Sequence, residues 1–198
     1  NRDDRPYGIY SAGPDYRDQD IDRETYGLTH DGDWSWGSTR LNVNYEDAEI
    51  ADFNSRYPAP QQRNLNEETL TLAGSTSFVL GNHGLTAGYE YRDQTVSDKV
   101  AFAETGKSEA EIQGVYLQDE WYLTDRLTLT LGGRYDHHDD FDGEFTPRGY
   151  LVYQVNDSVA IKGGYAEAFK APSPLQIIEE YQVVSCGGSC FIPGNPDL

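Results

Sequence analysis

Two groups of residues in this chain have types and spacing that could support chemistry. Cys186 and Cys190 are its only cysteines and enclose Gly187, Gly188 and Ser189. Thiols this close, on flexible glycines and with no other partner, can close a local disulfide in an oxidising compartment. So short a loop gives an entropic stabilisation of only about 2 kcal/mol, so the bond would chiefly shape a loop tip. A metal site is the competing reading, and two sulfurs without a nearby histidine make a poor one. The second group is His137-His138-Asp139-Asp140, with Asp142 and Glu144 close behind. These are metal ligands and acid–base groups by type, but neighbouring residues on a strand point to opposite faces, so the two imidazoles cannot share one ligand set there. We expect a solvated loop here and no metal site. A hydrolase would use Asp136, His137 or Asp140, yet no Ser-His-Asp arrangement, phosphate-cradling loop or paired-carboxylate motif accompanies them. The expectation is a protein that is not an enzyme and carries no cofactor.

Composition narrows the partners. A formal net charge of -19 excludes general nucleic-acid binding, which requires a cationic face to displace phosphate counterions. The same acidity suits a surface bathed in divalent cations, such as the outside of a lipopolysaccharide membrane. Hydrophobic residues make up 37% of the chain and mean hydropathy is -0.71, so no stretch reaches the roughly 20 apolar residues of a membrane helix. A membrane barrel remains open, because its strands need only alternate residues to be apolar. Fifteen tyrosines and twenty glycines fit a β-rich protein with interfacial aromatic belts. No methionine occurs at all, and we expect an internal or processed piece of a longer chain.

The elements that would position these residues read as strands. Leu70, Leu72, Thr76, Phe78 and Leu80 fall in one phase before Gly81-Asn82-His83-Gly84; Leu85, Ala87, Tyr89 and Tyr91 alternate after it. Glycine and asparagine supply the positive φ of a tight hairpin. The pattern recurs around Thr124-Asp125-Arg126, with Leu127, Leu129, Leu131 and Tyr135 in phase. It recurs again around Asn156-Asp157-Ser158, with Val159, Ile161 and Tyr165. With a further turn at Asp31-Gly32-Asp33, the pattern predicts about eight strands: roughly 21–30, 34–46, 65–80, 84–97, 108–124, 126–138, 145–155 and 158–169. Short turns alternate with longer polar connections at 1–20, 47–64, 98–107, 139–144 and after 169. An outer-membrane barrel gathers its short turns at the periplasmic end in this way. Trp34, Phe78, Trp121 and Tyr122 would form an inner aromatic girdle, and Tyr89, Tyr91, Tyr135 and Tyr165 an outer one. Two strands break the alternation. Trp34 and Trp36 oppose Leu41, Val43 and Tyr45, which predicts a bulge near Gly37. Between 108 and 124 the apolar face cannot be assigned.

Several strings carry a family resemblance. Tyr165-Ala166-Glu167-Ala168-Phe169-Lys170-Ala171-Pro172 is followed by Gly194-Asn195-Pro196-Asp197-Leu198. Upstream lie Gln118-Asp119-Glu120-Trp121, Leu131-Gly132-Gly133-Arg134-Tyr135-Asp136 and Thr146-Pro147-Arg148. In this order the chain resembles the TonB-dependent siderophore receptors of the Gram-negative outer membrane. There the Phe-Lys-Ala-Pro motif ends a barrel strand and Asn-Pro-Asp-Leu lies in the extracellular loop that follows. The resemblance implies an all-β transmembrane antiparallel barrel of about 22 strands around a plug. Residues 1–198 would be a partial barrel domain of about eight strands, without the plug or the first and last strands. Thr69, Glu90, Arg92, Arg134, Asp136 and Lys162 would face the lumen.

The function implied is uptake of a ferric siderophore, energised by the TonB protein acting through the absent plug, with outer-membrane lipid and lipopolysaccharide as surroundings. No histidine lies between Lys170 and Leu198, where haem receptors of the family carry one. The paired cysteines look more like the ferric-catecholate receptors. Anionic, aromatic catecholates call for Arg and Tyr at the mouth, which points to Arg56, Tyr57 and Arg63, then Arg2 and Arg5. Uptake of cobalamin, an oligosaccharide or haem, or a passive porin-like barrel, are the alternatives.

Overall fold

The structure is a computed structural model that describes residues 2–5, 17–55, 59–139, 141–170, 176, 178–179, 182–185 and 190–195. Strands β1 (Arg2–Arg5), β2 (Arg17–Trp34), β3 (Gly37–Asn54), β4 (Gln62–Leu80), β5 (His83–Ser97), β6 (Lys107–Thr124), β7 (Leu127–His138), β8 (Phe141–Asn156) and β9 (Val159–Ala166) form one sheet in chain order. Every neighbouring pair is antiparallel. A separate hairpin joins β10 (Gln182–Ser185) to β11 (Cys190–Pro193). The large sheet is open at both edges, as a slice of a barrel wall must be.

In such a meander every second turn lies at the same end. The two-residue connections 35–36, 81–82, 125–126 and 157–158 therefore gather together, as the alternation of short and long connections predicts. Gly81 adopts φ 60°, a left-handed conformation that the hairpin demands and a side chain resists.

Directly paired residues share a face, so register fixes what each face carries. One face holds Leu28↔Val43↔Leu72↔Tyr91, Tyr89↔Val115↔Tyr135↔Phe145 and Trp121↔Leu129↔Leu151. Leu70, Leu85, Leu127, Leu131, Val159 and Ile161 share its phase, as expected. On interior strands Leu117 is 57% exposed, Val115 50% and Leu131 50%. An apolar face this open covers no protein core, so its apolar solvent is lipid. The opposite face carries Thr128↔Val152↔Lys162 and Arg134↔Thr146, together with Glu90 and Asp136.

Register also corrects several sequence expectations. The first hairpin turns at Ser35-Trp36, not at 31–33, with Trp34 opposite Gly37. Trp36 thus leaves the strand, and Leu41, Val43 and Tyr45 align with His30, Leu28 and Tyr26 with no bulge. Gly37 is needed because a Cβ there would run into the Ser77 carbonyl of β4. Residues 2–5 and 17–20 are strand, not connection. The connection between β3 and β4 shrinks to 55–61, and the one between β7 and β8 to 139–140. Ladder hydrogen bonds extend the strands past their apolar segment, where periodicity no longer marks them. β6 directs Val115, Leu117, Asp119 and Trp121 to lipid. Its inward Ile112 and Tyr116 confused the pattern, and Tyr116 lies over Gly88 of β5.

The largest fully buried side chain among the described residues is Phe102, which sits in the connection between β5 and β6, at the end of the sheet opposite the short turns. Phe102 and Ala101 pack with Val96 of β5, against Leu65 of β4 and Ile178 beyond β9.

Candidate functional site

The lumen-facing wall is built from polar side chains that glycines allow to lie close. Glu90, Gly114 and Asp136 pair in one row across β5, β6 and β7. Arg134, one row toward the periplasm, spans them. Its Nε donates to Asp136 Oδ1 at 2.8 Å, its Nη2 lies 2.7 Å from the same carboxylate, and its Nη1 lies 3.3 Å from Glu90 Oε2. A Cβ on Gly114 would collide with the Arg134 guanidinium and the Asp136 carboxylate. Asp31 accepts from Arg40 Nε at 2.5 Å, and Arg148 donates to Gln118, on the same face. In lipid these charges would each cost several kcal/mol; facing a wet or protein-filled lumen they cost far less.

The extracellular rim is organised by the connection 98–106. Asp98 is buried; its Oδ1 accepts from the backbone amides of Val100 and Ala101, at 2.8 and 3.1 Å. Its own amide donates to the Gly106 carbonyl, which closes the loop at 3.2 Å. Gly106 takes φ 75° at that closure. The folded loop meets the tips of β3 and β4 around a cleft of about 800 Å³, lined by Ile50, Leu65, Asp98, Lys99, Val100 and Lys107 among others. That size suits a small-molecule ligand.

Arg63 lies in β4 at this rim, half-buried on the lumen side and directly across from Asp52. Arg56 and Tyr57 lie outside the described residues, in the connection that Arg63 follows. Arg2 and Arg5 stand in β1, opposite Asp22 and Gln19. Arg63 is thus near the cleft, whereas Arg2 and Arg5 are on the edge strand, with two strands between it and β4. Cys186 lies outside the described residues; Cys190 begins β11, opposite Ser185. His137 and His138 are not in a solvated loop. Both belong to β7, with His138 buried on the lumen face beside Ile112 and His137 in phase with Gln113 on the other face. No group of three metal-ligating side chains occurs among the described residues. Sequence reasoning missed the Phe102 cluster, although Asp98 followed by Val100-Ala101-Phe102 and Gly106 is a legible Asx-capped loop.

Comparison with known proteins matches this architecture. The family model for the TonB dependent receptor-like β-barrel covers residues 1–198. A probable TonB-dependent siderophore receptor, PirA of Acinetobacter baumannii, is 27% identical over 217 residues, spanning 89% of this chain and 28% of that protein. The ferric enterobactin receptor PirA of Pseudomonas aeruginosa is 27% identical over 214 residues, 89% of this chain and 29% of its own length. The crystal structure of the siderophore receptor PirA from Pseudomonas aeruginosa superposes with a TM-score of 0.81 at 27% identity, covering 92% of this chain and 34% of that one. The chain therefore spans under a third of the curated relatives it matches. Those relatives are transport receptors, and the long apolar-faced strands are of the kind that cross the outer membrane of Gram-negative bacteria. With its sheet order, its two-faced wall and the family match over its whole length, this chain belongs to the TonB-dependent receptor β-barrel family.

Proposed function

We propose that the chain forms part of the wall and ligand-catching rim of a receptor that imports a ferric siderophore, of the catecholate class, through the outer membrane. The observation that carries this reading is the pairing of a charged lumen wall with a structured rim cleft, in a chain whose relatives are named for siderophore and ferric enterobactin uptake. The remaining strands and a plug complete the barrel in the whole protein, and TonB supplies the energy through that plug. The outer membrane holds no ATP and no sustained ion gradient, so work must come from a partner. A plug filling the lumen would set this reading apart from a passive porin.

Arg63, with Arg56 and Tyr57 on the connection before it, recognises the anionic aromatic ligand; Arg2 and Arg5 are secondary candidates. Cys186 and Cys190 form a disulfide. Supporting this, Cys190 stands opposite Ser185, the residue that precedes Cys186 in the sequence. On the outward face above the apolar band, Glu24, Asp47 and Glu68 pair in one row. That acidity suits contact with the cation-rich lipopolysaccharide leaflet. The test is a binding screen of the complete receptor against ferric catecholates, ferric hydroxamates, haem and cobalamin. The proposal expects tight binding of a ferric catecholate; tight binding of cobalamin or haem alone overturns it.

A further inference from the structure

The lipid-facing side of the wall carries a hydrogen-bonded histidine–carboxylate pair that the transport reading does not use. His83 opens β5 immediately after the Gly81-Asn82 turn, and Asp119 lies on β6 in the outward phase. His83 Nδ1 is 2.8 Å from Asp119 Oδ2. Asp119 is set among apolar neighbours, directly opposite Leu85 on one side and Leu131 on the other. Its Oδ1 is buried and has no hydrogen-bond partner. A carboxylate in this setting is costly, and ionisable groups kept within a membrane band mark functional positions by default.

The imidazole is held from two directions. Asp119 fixes Nδ1, and the Trp121 ring stacks on it with centroids 5.2 Å apart and planes 24° from parallel. An ionised carboxylate only accepts, so Nδ1 carries the proton that is donated, and Nε2 is the second ring nitrogen, a donor only in the imidazolium. The His83 side chain is 37% exposed and Trp121 40%. Their position beside a short turn places them at the periplasmic interface, where indole rings meet lipid headgroups. Resting on the family fold and its orientation, we propose that His83 and Trp121, positioned by Asp119, form a binding site for the phosphodiester of a phospholipid in the periplasmic leaflet. In its imidazolium form His83 donates from Nδ1 to Asp119 and from Nε2 to a phosphate oxygen, and the indole lies against the glycerol region. Recognition is of the phosphate, so the head alcohol beyond it is not selected.

Native mass spectrometry of the complete detergent-purified receptor tests this, with phosphatidylethanolamine, phosphatidylglycerol or diacylglycerol added. The wild type should retain either phospholipid and no diacylglycerol. H83A and D119N should each lower phospholipid occupancy by about fivefold or more, the loss of one charge-assisted hydrogen bond. H83Q, which keeps an amide donor near the Nε2 position, should retain more lipid than H83A. Heat-modifiable migration on gels verifies that each barrel is assembled, and H83Q and H83A suffice if D119N does not fold. Unchanged occupancy in assembled H83A overturns the site. Retention of diacylglycerol equal to phospholipid, or of phosphatidylethanolamine alone, overturns phosphate recognition. Loss of siderophore binding is not expected in any of these variants, so failure of the lipid site and failure of the transport reading remain distinguishable.

Discussion

Arg134 on β7 reaches across Gly114 of β6 to Glu90 on β5, with Nη1 3.3 Å from Oε2. A guanidinium can bridge three strands only because the middle one presents no side chain at that point. The wall's charge network and its glycine content are therefore one feature.

Gly114→Ala should destabilise the assembled barrel by about 1–3 kcal/mol, because the new Cβ must displace the guanidinium or the Asp136 carboxylate. Gly149→Ala on the lipid face of β8, where a Cβ meets only the Leu131 side chain at 3.6 Å, should change stability by less than about 0.5 kcal/mol. Urea unfolding of the two variants in lipid is the comparison. Equal stability of both would mean that the Arg134 bridge is not rigid.

Leu129→Arg should cost roughly 2–4 kcal/mol in a bilayer, as a cation turned to lipid near the midplane does. Thr130→Arg, one residue on and facing the lumen, should cost much less. Folding titrations in vesicles would reveal any reversal of that order, which would mean the faces are assigned the wrong way round.

The alternation of apolar residues made eight strands legible, and the faces of all but the second and fifth of them, because lipid on one side and a polar lumen on the other impose period two. Beyond the lipid band both faces are polar, so the ends of β3, β4 and β8 carried no signal. The misplaced first turn had a similar origin: Asp31-Gly32-Asp33 has turn composition, yet Asp31 pairs with Arg40 and Gly32 with Thr39 within the ladder. Arg63 could be proposed as a ligand contact from its type. The Phe102 cluster could not be named from type, since it depends on contacts between residues from three separated segments.

Phe102→Ala should weaken closure of the 98–106 loop by about 3 kcal/mol, the low end for a buried phenylalanine. Limited proteolysis of the folded receptor should then cut within 98–106 while the wall resists. If cutting there matches the wild type, the cluster is not what holds the loop.

Arg63→Ala should weaken binding of a ferric catecholate by about 1–3 kcal/mol, as loss of a hydrogen bond to a charged group does. Calorimetric titration of the complete receptor gives the number. An unchanged affinity would remove Arg63 from the ligand contacts.

Cys186 and Cys190 should resist thiol alkylation until the receptor is reduced, their Cα atoms lying within about 7 Å. Mass spectrometry of the non-reduced protein with both cysteines labelled would remove the disulfide.

The central claim is energised uptake of a ferric siderophore, and the most direct measurement follows radiolabelled iron into cells that make the complete receptor. Iron supplied as a ferric catecholate should accumulate, and accumulation should stop when TonB is deleted. Undiminished uptake without TonB, or no uptake of any ferric siderophore by cells with assembled receptor, would contradict the account.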